Sequence, residues 1–471
     1  MNHEEGLQAL NDGDLKTAIP LLAQAVQDTA YSSEALNHAY TLALYRAGEK
    51  TRLAYAAIEI GDFLLQSNPA LAMDYFQRAF LGGELDASCR RYIGEIFEGW
   101  AAPKGTTGSA SGTPVRKVAH VVGSLQSDHQ PARLVGSLIQ SLRQQGVESQ
   151  VFTTEWASSW FFNSNGIQTP SPDTLPGANV ASTDGNFIER AERIAAAIRA
   201  SGVDAVFYHA DLNEQITARV AAFRPAKLQV NVAYGFGMDA DFFDGFVHLK
   251  KQGIAASHHS TQPRVWIPAS SDIAERIREC PPDMRHLMGL GAAETVSATL
   301  GDLQQVSEPK YLYAVTGLLK VFPNHFHLFA GNGDVKAIRA ALHAEGVLPR
   351  VRFLGAISDT ASVMAVTDVY LCPFRKFDES PLMEAMGAYR PCVVARNSSD
   401  PSQNSAAEIL NIPELIADSD VAYLQIAQGL LRDAEARKRA SDLVACRFQS
   451  EFASELLGRK YLEFLSRIGS H

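Results

Sequence analysis

Apolar side chains in the first 100 residues recur at the spacing of amphipathic helices. Short polar loops, such as residues 11–14 and 67–69, separate these helical segments. The region is rich in Ala and Leu, which favour helix formation. Residues 1–100 are therefore predicted to form an all-helical domain.

Two segments of this helical region are similar to each other. Ala25 follows Ala18 by seven positions, and Ala79 follows Ala72 by seven. Small residues two helical turns apart let a neighbouring helix approach closely, so the pattern resembles tetratricopeptide-type helix pairs. The spacing of 54 positions between Ala18 and Ala72 differs from the period of about 34 residues of that repeat. A plain helical bundle therefore stays open as the alternative.

After residue 114 the pattern changes, because short apolar runs alternate with longer helical segments. Such runs are typical of parallel strands that are buried on both faces. The predicted strands are residues 118–122, 150–153, 204–208, 229–232, 245–248, 295–300, 325–330, 351–354, 369–372 and 391–395. The predicted helices are residues 134–145, 188–201, 309–321, 335–345, 381–388 and much of 421–468, and residues 156–186 form a long polar insert.

This alternation predicts two successive doubly wound α/β sheets, each with ligands at the carboxyl ends of its strands. Residues 101–114 are rich in Gly, Ser, Thr and Pro and are predicted to be a linker. Two domains of similar size imply a cleft between them, which is the usual place for a ligand. The predicted division is a helical domain at 1–100, the linker at 101–114, lobes at 115–268 and 269–450, and a C-terminal helix at 451–471.

Composition excludes several classes of protein. The 471 residues are 46% hydrophobic and 20% charged, which excludes disorder for most of the chain. The net charge of −10 argues against nucleic acid as a partner. The sequence has neither a long apolar run nor an apolar signal core at its start, so we expect a cytoplasmic protein without a membrane span. Five widely spaced cysteines argue against a disulfide scaffold and a zinc ribbon.

Several segments resemble the catalytic region of O-GlcNAc transferases. Residues 127–138 (SDHQPARLVGSL) resemble its start, and residues 223–230 (FRPAKLQV) resemble a later strand entry. Residues 368–394 resemble the nucleotide-binding segment of that family, and residues 412–417 (IPELIA) resemble one of its helices. The same elements resemble the bacterial N-glycosyltransferases that modify adhesins, and the resemblance covers roughly residues 115–465.

The resemblance implies a GT-B fold, in which two Rossmann-like lobes face a cleft and the C-terminal lobe holds a nucleotide sugar. It implies transfer from a UDP-linked donor to a protein side chain, with no metal cofactor. The helical domain is then expected to recruit the acceptor protein. Retaining GT-B enzymes carry a second Glu eight positions before Glu384, where this chain has Lys376. The resemblance therefore favours inversion.

Two histidines are the candidate catalytic residues. His129 lies between the first predicted strand and the following helix, and its spacing to Leu134 matches an active-site His of the family. A His at that place can relay a proton, because its ordinary pKa is near neutrality. His209 follows the strand at 204–208 and is the second candidate. The alternatives are a loop His without a role for His129 and a turn cap for His209.

The predicted nucleotide-sugar residues lie in the third piece of the chain. By the resemblance, Glu384 stands where an acidic residue holds the ribose. Ser380 and Pro381 begin a helix, whose backbone N–H groups and dipole favour phosphate. An ordinary N-capping Ser and a solvated Glu are the alternative reading of this turn. The full predicted set is Gln305, Gly355, Ile357, Glu379, Ser380, Pro381 and Glu384, with Gly355 and Ile357 meeting the base through backbone groups.

One position departs from the family pattern. Gln305 stands where the family places a Lys against the diphosphate, and Asp302 nearby would repel phosphate. Arg375 and Lys376 are the candidate substitutes by their closeness in sequence to the phosphate turn. Three other motifs give weaker evidence for a binding site. The glycine-rich turn at 331–334 is typical of any tight turn. Neither the Asp pair at 239 and 241 nor the His pair at 258 and 259 has the context of a metal site.

The sequence thus favours a protein glycosyltransferase and leaves two alternatives open. The first is a GT-B enzyme that acts on a glycan or a lipid-linked sugar. The acidic charge and the lack of a basic amphipathic helix argue against work at a membrane. The second is a catalytically silent partner subunit, which the departure at Gln305 supports. The sugar, the acceptor side chain and any homo-oligomer are not fixed by the sequence.

Overall fold

The computed structural model of the protein describes most of the chain. The described residues are 2–68, 114–123, 130–154, 178–180, 187–210, 215–234, 240, 242–251, 261–291, 295–357, 359–374, 379–396 and 404–470, together with 71, 72, 75, 76, 78, 79, 92, 95 and 96. The chain forms two compact units. The first contains Met1–Ile139, Gly146–Ile267 and Tyr461–His471, and the second contains Gln140–Gln145 and Pro268–Lys460.

The N-terminal part of the first unit is helical, as the apolar spacing predicts. Its described helices are α1 (Asn2–Asn11), α2 (Leu15–Asp28), α3 (Glu34–Arg46) and α4 (Lys50–Leu64). The Asp14 side chain caps α2 by accepting a hydrogen bond from the Thr17 backbone N–H at 3.3 Å. The small residues that the pattern singled out, Ala18, Ala25, Ala72 and Ala79, are all buried. Of the predicted linker, only Pro114 lies among the described residues.

A seven-stranded parallel sheet forms the rest of the first unit. Its order is β3-β2-β1-β4-β5-β6-β7, so the chain starts in the middle, builds outward on one side and then crosses to the other. This is the doubly wound arrangement that the alternating pattern predicts. The strands are β1 (Lys117–Val122), β2 (Glu148–Thr153), β3 (Ala178–Val180), β4 (Ala205–His209), β5 (Leu228–Ala233), β6 (Gly245–His248) and β7 (Arg264–Trp266), and the described helices are α5 (Gln130–Gln144), α6 (Phe187–Ser201) and α7 (Gln215–Ala222).

An ion pair between a buried arginine and a half-buried aspartate holds the entry to β5. Arg224 has a positive φ of 44°, and one of its guanidinium nitrogens donates to both carboxylate oxygens of Asp244 at 2.8 and 3.0 Å. Asp244 also accepts from the backbone N–H of Gln229 at 2.7 Å. The Arg-Pro motif of the sequence therefore fixes the start of β5 against the start of β6. Its charges are paired, as buried charges must be.

The second unit contains a six-stranded parallel sheet with the order β10-β9-β8-β11-β12-β13. It repeats the doubly wound order of the first sheet. The strands are β8 (Thr295–Leu300), β9 (His325–Ala330), β10 (Val351–Gly355), β11 (Val369–Leu371), β12 (Cys392–Ala395) and β13 (Ile416–Ala417).

The helices of this unit follow the predicted rhythm. Pro309 begins the helix that ends at Val321, as the pattern predicts. The described helices are α8 (Ile273–Glu279), α9 (Met284–Leu287), α10 (Leu303–Val306), α11 (Pro309–Val321), α12 (Lys336–Ala344), α13 (Ala361–Val366), α14 (Glu379–Gly387), α15 (Ser405–Leu410), α16 (Asp420–Arg432) and α17 (Ala434–Glu451). The last helix, α18 (Ser454–Ile468), begins in this unit, and its residues from Tyr461 onward belong to the first unit.

The helix predicted at residues 412–417 is wrong. Asn411 adopts a left-handed conformation with φ 46° and ends α15. A short 3₁₀ helix, Pro413–Leu415, follows it. Ile416 and Ala417 then pair in parallel with Val394 and Ala395 of β12 as the edge strand. The segment extends because its backbone groups bond to the sheet rather than to a helix turn.

Within the described part of the chain, no helix combines the length and the apolarity needed to cross a membrane.

Candidate functional site

The carboxyl edge of the second sheet has a topological switch point between β8 and β11. The chain leaves β8 toward β9 on one side and reaches β11 on the other. In open parallel sheets, ligands bind outside the carboxyl ends of the strands at this place. The residues that follow these strands therefore define the first candidate site.

Three glycines lie at the carboxyl ends of three neighbouring strands. Gly301, Gly331 and Gly355 follow or end β8, β9 and β10, and their φ angles are +128°, +144° and +69°. The Gly301 N–H donates to the Ala330 carbonyl at 3.0 Å, and the Gly331 N–H donates to the Gly355 carbonyl at 2.8 Å. The strand ends are thus joined backbone to backbone.

Gly331 is required by this close approach. A Cβ atom at this position would lie 1.7 Å from the Gly301 carbonyl oxygen. The Leu303 N–H, at the start of α10, also donates to the Asn332 carbonyl at 2.7 Å. The turn at residues 331–334 is therefore part of the carboxyl edge at the switch point, and only glycine fits at its first position.

The first turn of α14 lies over Gly301. The Cγ atom of Pro381 is 3.9 Å from the place where a Cβ on Gly301 would stand. Ser380 and Pro381 are half-buried, and Glu379 is buried. The N-terminus of a helix carries free N–H groups and a positive dipole end, so an anion is stabilised there. Pro381 of the predicted phosphate turn thus lies next to the end of β8.

Glu384 reaches the loop that follows β10. Its carboxylate accepts a hydrogen bond from the Thr360 hydroxyl, which stands just before α13. Gly355 ends β10 and is exposed, and Ile357 lies in the loop that follows and is half-buried. Glu384 and the predicted base-binding segment therefore belong to one local region, although the sequence did not predict the contact with Thr360.

Two tyrosines that the sequence analysis missed hold the end of β11. The Tyr311 hydroxyl donates to the Leu371 carbonyl at 3.0 Å, and the Tyr423 hydroxyl donates to the Cys372 carbonyl at 2.9 Å. Phe374 packs edge-on against both rings, with centroid distances of 5.5 and 4.8 Å. Burial raises the pKa of both tyrosines, so both hydroxyls stay neutral donors. Their only signal in the sequence is an aromatic residue at a helical core position.

A buried polar ladder runs along β8 and β9 toward the same edge. Ser297 bonds to His325 at 2.9 Å and to His327 at 2.7 Å, and Thr299 continues the row to His327 at 3.3 Å. Burial lowers the pKa of His325 to about 4. The pKa of His327 also lies well below its usual value because of burial. These rings are therefore neutral partners for hydroxyl groups at physiological pH.

Some predicted residues of the second lobe cannot be placed in the site. Gln305 lies in α10, and its side chain is outside the described residues. Arg375 and Lys376, the predicted substitutes for the missing Lys, also lie outside them. The residue that would neutralise a diphosphate therefore stays a prediction.

In the first sheet, His209 ends β4 and is buried, with 1% of its surface exposed. Its Nε2 atom is 3.0 Å from Nδ1 of His120 on β1, and its Nδ1 atom is 3.3 Å from the hydroxyl of Tyr234. Burial, and then the neighbouring His120, lower the pKa of His209 well below its ordinary value. Both ring nitrogens of His209 thus lie against other side chains of the protein, and Tyr234 after β5 is half-buried.

The other histidine, His129, lies outside the described residues. The same holds for the Asp residues at 239 and 241 and for the His pair at 258 and 259. Among the residues that are described, no group of three or more His, Cys, Asp or Glu side chains is arranged to hold a metal ion.

Two successive doubly wound parallel sheets define the class of protein as a GT-B fold. Residues 298–425, which span the switch point of the second sheet, match the family described as Glycosyl transferases group 1. No curated protein sequence matches the chain significantly. The fold and the group 1 domain together support a glycosyltransferase.

Solved structures agree with this fold. A mutant of Thermobaculum terrenum O-GlcNAc transferase aligns with a TM-score of 0.62 and 17% identity over 99% of this chain and 90% of its own. A glycosyltransferase from Rickettsia africae aligns with a TM-score of 0.53 and 12% identity over 76% and 99%. Anabaena HepE in complex with UDP-glucose aligns with a TM-score of 0.51 and 15% identity over 74% and 99%.

Proposed function

We propose that the protein transfers a sugar from a UDP-linked donor to a side chain of an acceptor protein, with inversion and without a metal. The observation that carries the proposal is the edge at the switch point of the second sheet. There, Gly301, Gly331 and Gly355 lie at the ends of three neighbouring strands, and Pro381 in the first turn of α14 lies 3.9 Å from the Cβ position of Gly301. A glycine-lined edge beside a helix N-terminus suits a nucleotide diphosphate, because backbone can approach the phosphates closely.

Each donor group has a proposed role. Ser380 and the N–H groups around Pro381 bind the diphosphate, while Glu384 accepts hydrogen bonds from the ribose. The contact between Glu384 and Thr360 supports this role, because it fixes the carboxylate beside the loop of Gly355 and Ile357. A nucleotide ligand is also consistent with Anabaena HepE, a structural neighbour whose structure holds UDP-glucose.

The proposed binding of the acceptor protein rests on other observations. Helices α1–α4 precede the first sheet, and the O-GlcNAc transferase neighbour aligns over 99% of the chain, helical region included. We propose that this region recruits the acceptor protein. The transfer then needs a group that takes the acceptor proton, which we assign to the first lobe.

The experiment measures donor binding and transfer separately. A panel of nucleotide sugars is titrated into the full chain by calorimetry, and transfer to candidate acceptor proteins is read by intact mass. Glu384→Gln should weaken binding of the UDP-sugar by about 10-fold or more, because a charge-assisted hydrogen bond is lost. Glu345→Gln is the matched control, since Glu345 pairs with Lys320 on the exposed surface of the same unit. Equal donor affinity in both variants would refute the assigned site.

A silent partner subunit is the second candidate function, and the departure at Gln305 favours it. It predicts that no UDP-sugar binds to the wild-type chain and that no acceptor gains mass. It also predicts co-purification with an active glycosyltransferase. A sugar transferred to a free glycan but to no protein would instead support the glycan-directed alternative.

A further inference from the structure

A chain of hydrogen bonds crosses the first sheet from one half-buried hydroxyl to another. It begins at Ser149 on β2, whose Oγ atom is 3.4 Å from Nε2 of His120 on β1. It continues through the contact of 3.0 Å between His120 and His209 on β4. It ends at the Tyr234 hydroxyl after β5, 3.3 Å from Nδ1 of His209.

The two histidines in the middle of this hydrogen-bond chain are buried. His120 and His209 are 0% and 1% exposed, and Phe207 stacks on the His120 ring at a centroid distance of 5.5 Å. Burial lowers the pKa of His120 to about 3, so both rings are neutral near pH 7. By contrast, Ser149 and Tyr234 are half-buried. The hydrogen-bond chain therefore links two half-buried residues through two buried rings.

Because both imidazole rings are neutral, the hydrogen bonds of this chain all run from donor to acceptor in one direction. Each neutral ring has one N–H donor and one bare nitrogen acceptor, and both nitrogens of both rings are engaged. If Tyr234 donates to His209, then His209 donates to His120 and His120 donates to Ser149. If every proton moves one step, the reverse order results: Ser149 donates to His120, and His209 donates to Tyr234. Neither order leaves a net charge on a buried ring.

We propose that this chain carries the proton of the acceptor away from the reacting atom, with Tyr234 as the catalytic residue that meets the acceptor. The inference rests on the proposed function. His209 acts through Tyr234 and is a positioning residue, because its own ring is buried. His209, which the sequence predicts as a catalytic candidate, thereby takes a positioning role. Tyr234, which the sequence does not indicate, is the residue that contacts the substrate.

The proton balance is complete. The acceptor O–H or N–H bond breaks as that atom bonds to the anomeric carbon of the sugar, and the diphosphate leaves with the electron pair of the bond that it loses. The acceptor proton passes to the Tyr234 oxygen, the Tyr234 proton passes to His209, and one proton moves on through His120 to Ser149. The hydroxyl proton of Ser149 is released to water. No oxidant or further reactant is required.

The test compares Tyr234→Phe and His209→Gln with a matched control, His248→Gln. His248 is a buried histidine at the end of β6 in the same sheet, and it is not a member of the chain. Tyr234→Phe should lower kcat by about 100-fold, a usual loss for a general acid–base group, while the KM for the donor stays within about twofold. The solvent deuterium isotope effect on kcat should disappear in Tyr234→Phe and His209→Gln and persist in His248→Gln.

A second measurement tests the hydrogen-bond chain in the absence of catalysis. In the wild-type protein labelled with ¹⁵N-histidine, NMR should show neutral tautomers for His120 and His209 near neutral pH. Tyr234→Phe should shift the tautomer balance of His209 and leave His248 unchanged. An unshifted His209 signal, or a Tyr234→Phe variant with wild-type kcat, overturns the relay alone. A wild-type chain that transfers no sugar from any donor overturns the proposed function, and the relay with it.

Discussion

Gly331→Ala tests whether the carboxyl edge of the second sheet is joined as described. The new Cβ would stand 1.7 Å from the Gly301 carbonyl oxygen, whereas non-bonded heavy atoms rest at about 3.5 Å. The ends of β8 and β9 must therefore separate by well over 1 Å. Nothing flexible can yield, because the atom in the way belongs to the backbone.

The cost of this change has two parts. A non-glycine residue at a φ of +144° costs about 1–3 kcal/mol in backbone strain. Separation of the loops also disturbs the hydrogen bonds from Gly331 to Gly355 and from Leu303 to Asn332, at about 1 kcal/mol each. We therefore expect the second unit to lose about 3–5 kcal/mol of unfolding free energy.

Gly346→Ala is the control for this variant. Gly346 lies in the same unit with a φ of +73°, and a Cβ there meets nothing within 4 Å. It should cost only the strain of a left-handed residue, about 1–2 kcal/mol. Scanning calorimetry should show a drop in Tm for Gly331→Ala of roughly 10 °C, about twice or three times that of the control. Similar Tm values for the two variants would refute the close approach of the strand ends.

Two further predictions concern buried polar groups. His325 and His120 are neutral in the folded protein, with pKa values of about 4 and about 3, whereas the unfolded chain binds these protons below pH ~6.5. The unfolded state thus binds more protons, so the unfolding free energy should fall as pH drops from ~6.5 toward ~4, by up to about 1.4 kcal/mol per pH unit for each ring. Urea unfolding at several pH values in this range should show that the unfolding free energy of His325→Gln changes less with pH than that of the wild type. The same pH dependence in both proteins would contradict the prediction. Tyr423→Phe removes the hydrogen bond to the Cys372 carbonyl and should cost about 1–2 kcal/mol, measured by thermal unfolding; a variant as stable as wild type would show that the bond contributes nothing.

The order of elements follows from the sequence because both sheets are parallel and covered on both faces. Such strands appear as apolar runs, and the predicted bounds of β8 and β9 agree with the structure residue for residue. The strands β3, β7 and β13 were missed. Each has only two or three residues and lies at the edge of its sheet, where pairing on one side needs no long apolar run.

The site follows from the sequence only in part. Strand ends and a helix start can be located along the chain, which is why Gly355, Ser380 and Pro381 were predicted as a set. Contacts across the fold leave no local pattern: Thr360 meets Glu384 from 24 positions away, and Tyr311 reaches Leu371 from 60 positions away. The burial of His209 has the same origin, because it depends on the strands that pair beside β4.

The two sheets share one strand order, yet their carboxyl edges carry different chemistry. In the second sheet three neighbouring strands, β8, β9 and β10, end at or directly before glycines beside a helix N-terminus, which suits phosphate and sugar oxygens. In the first sheet, His209 and Tyr234 stand at the carboxyl ends of β4 and β5, and His120 lies two residues before the end of β1. Together they can hold or move a proton without net charge. Glycosyl transfer needs both functions: one surface that binds a diphosphate without titrating, and one group that accepts a proton from the acceptor. The proposal divides these tasks between the sheets, so variants of the first edge should change kcat and variants of the second should change donor affinity.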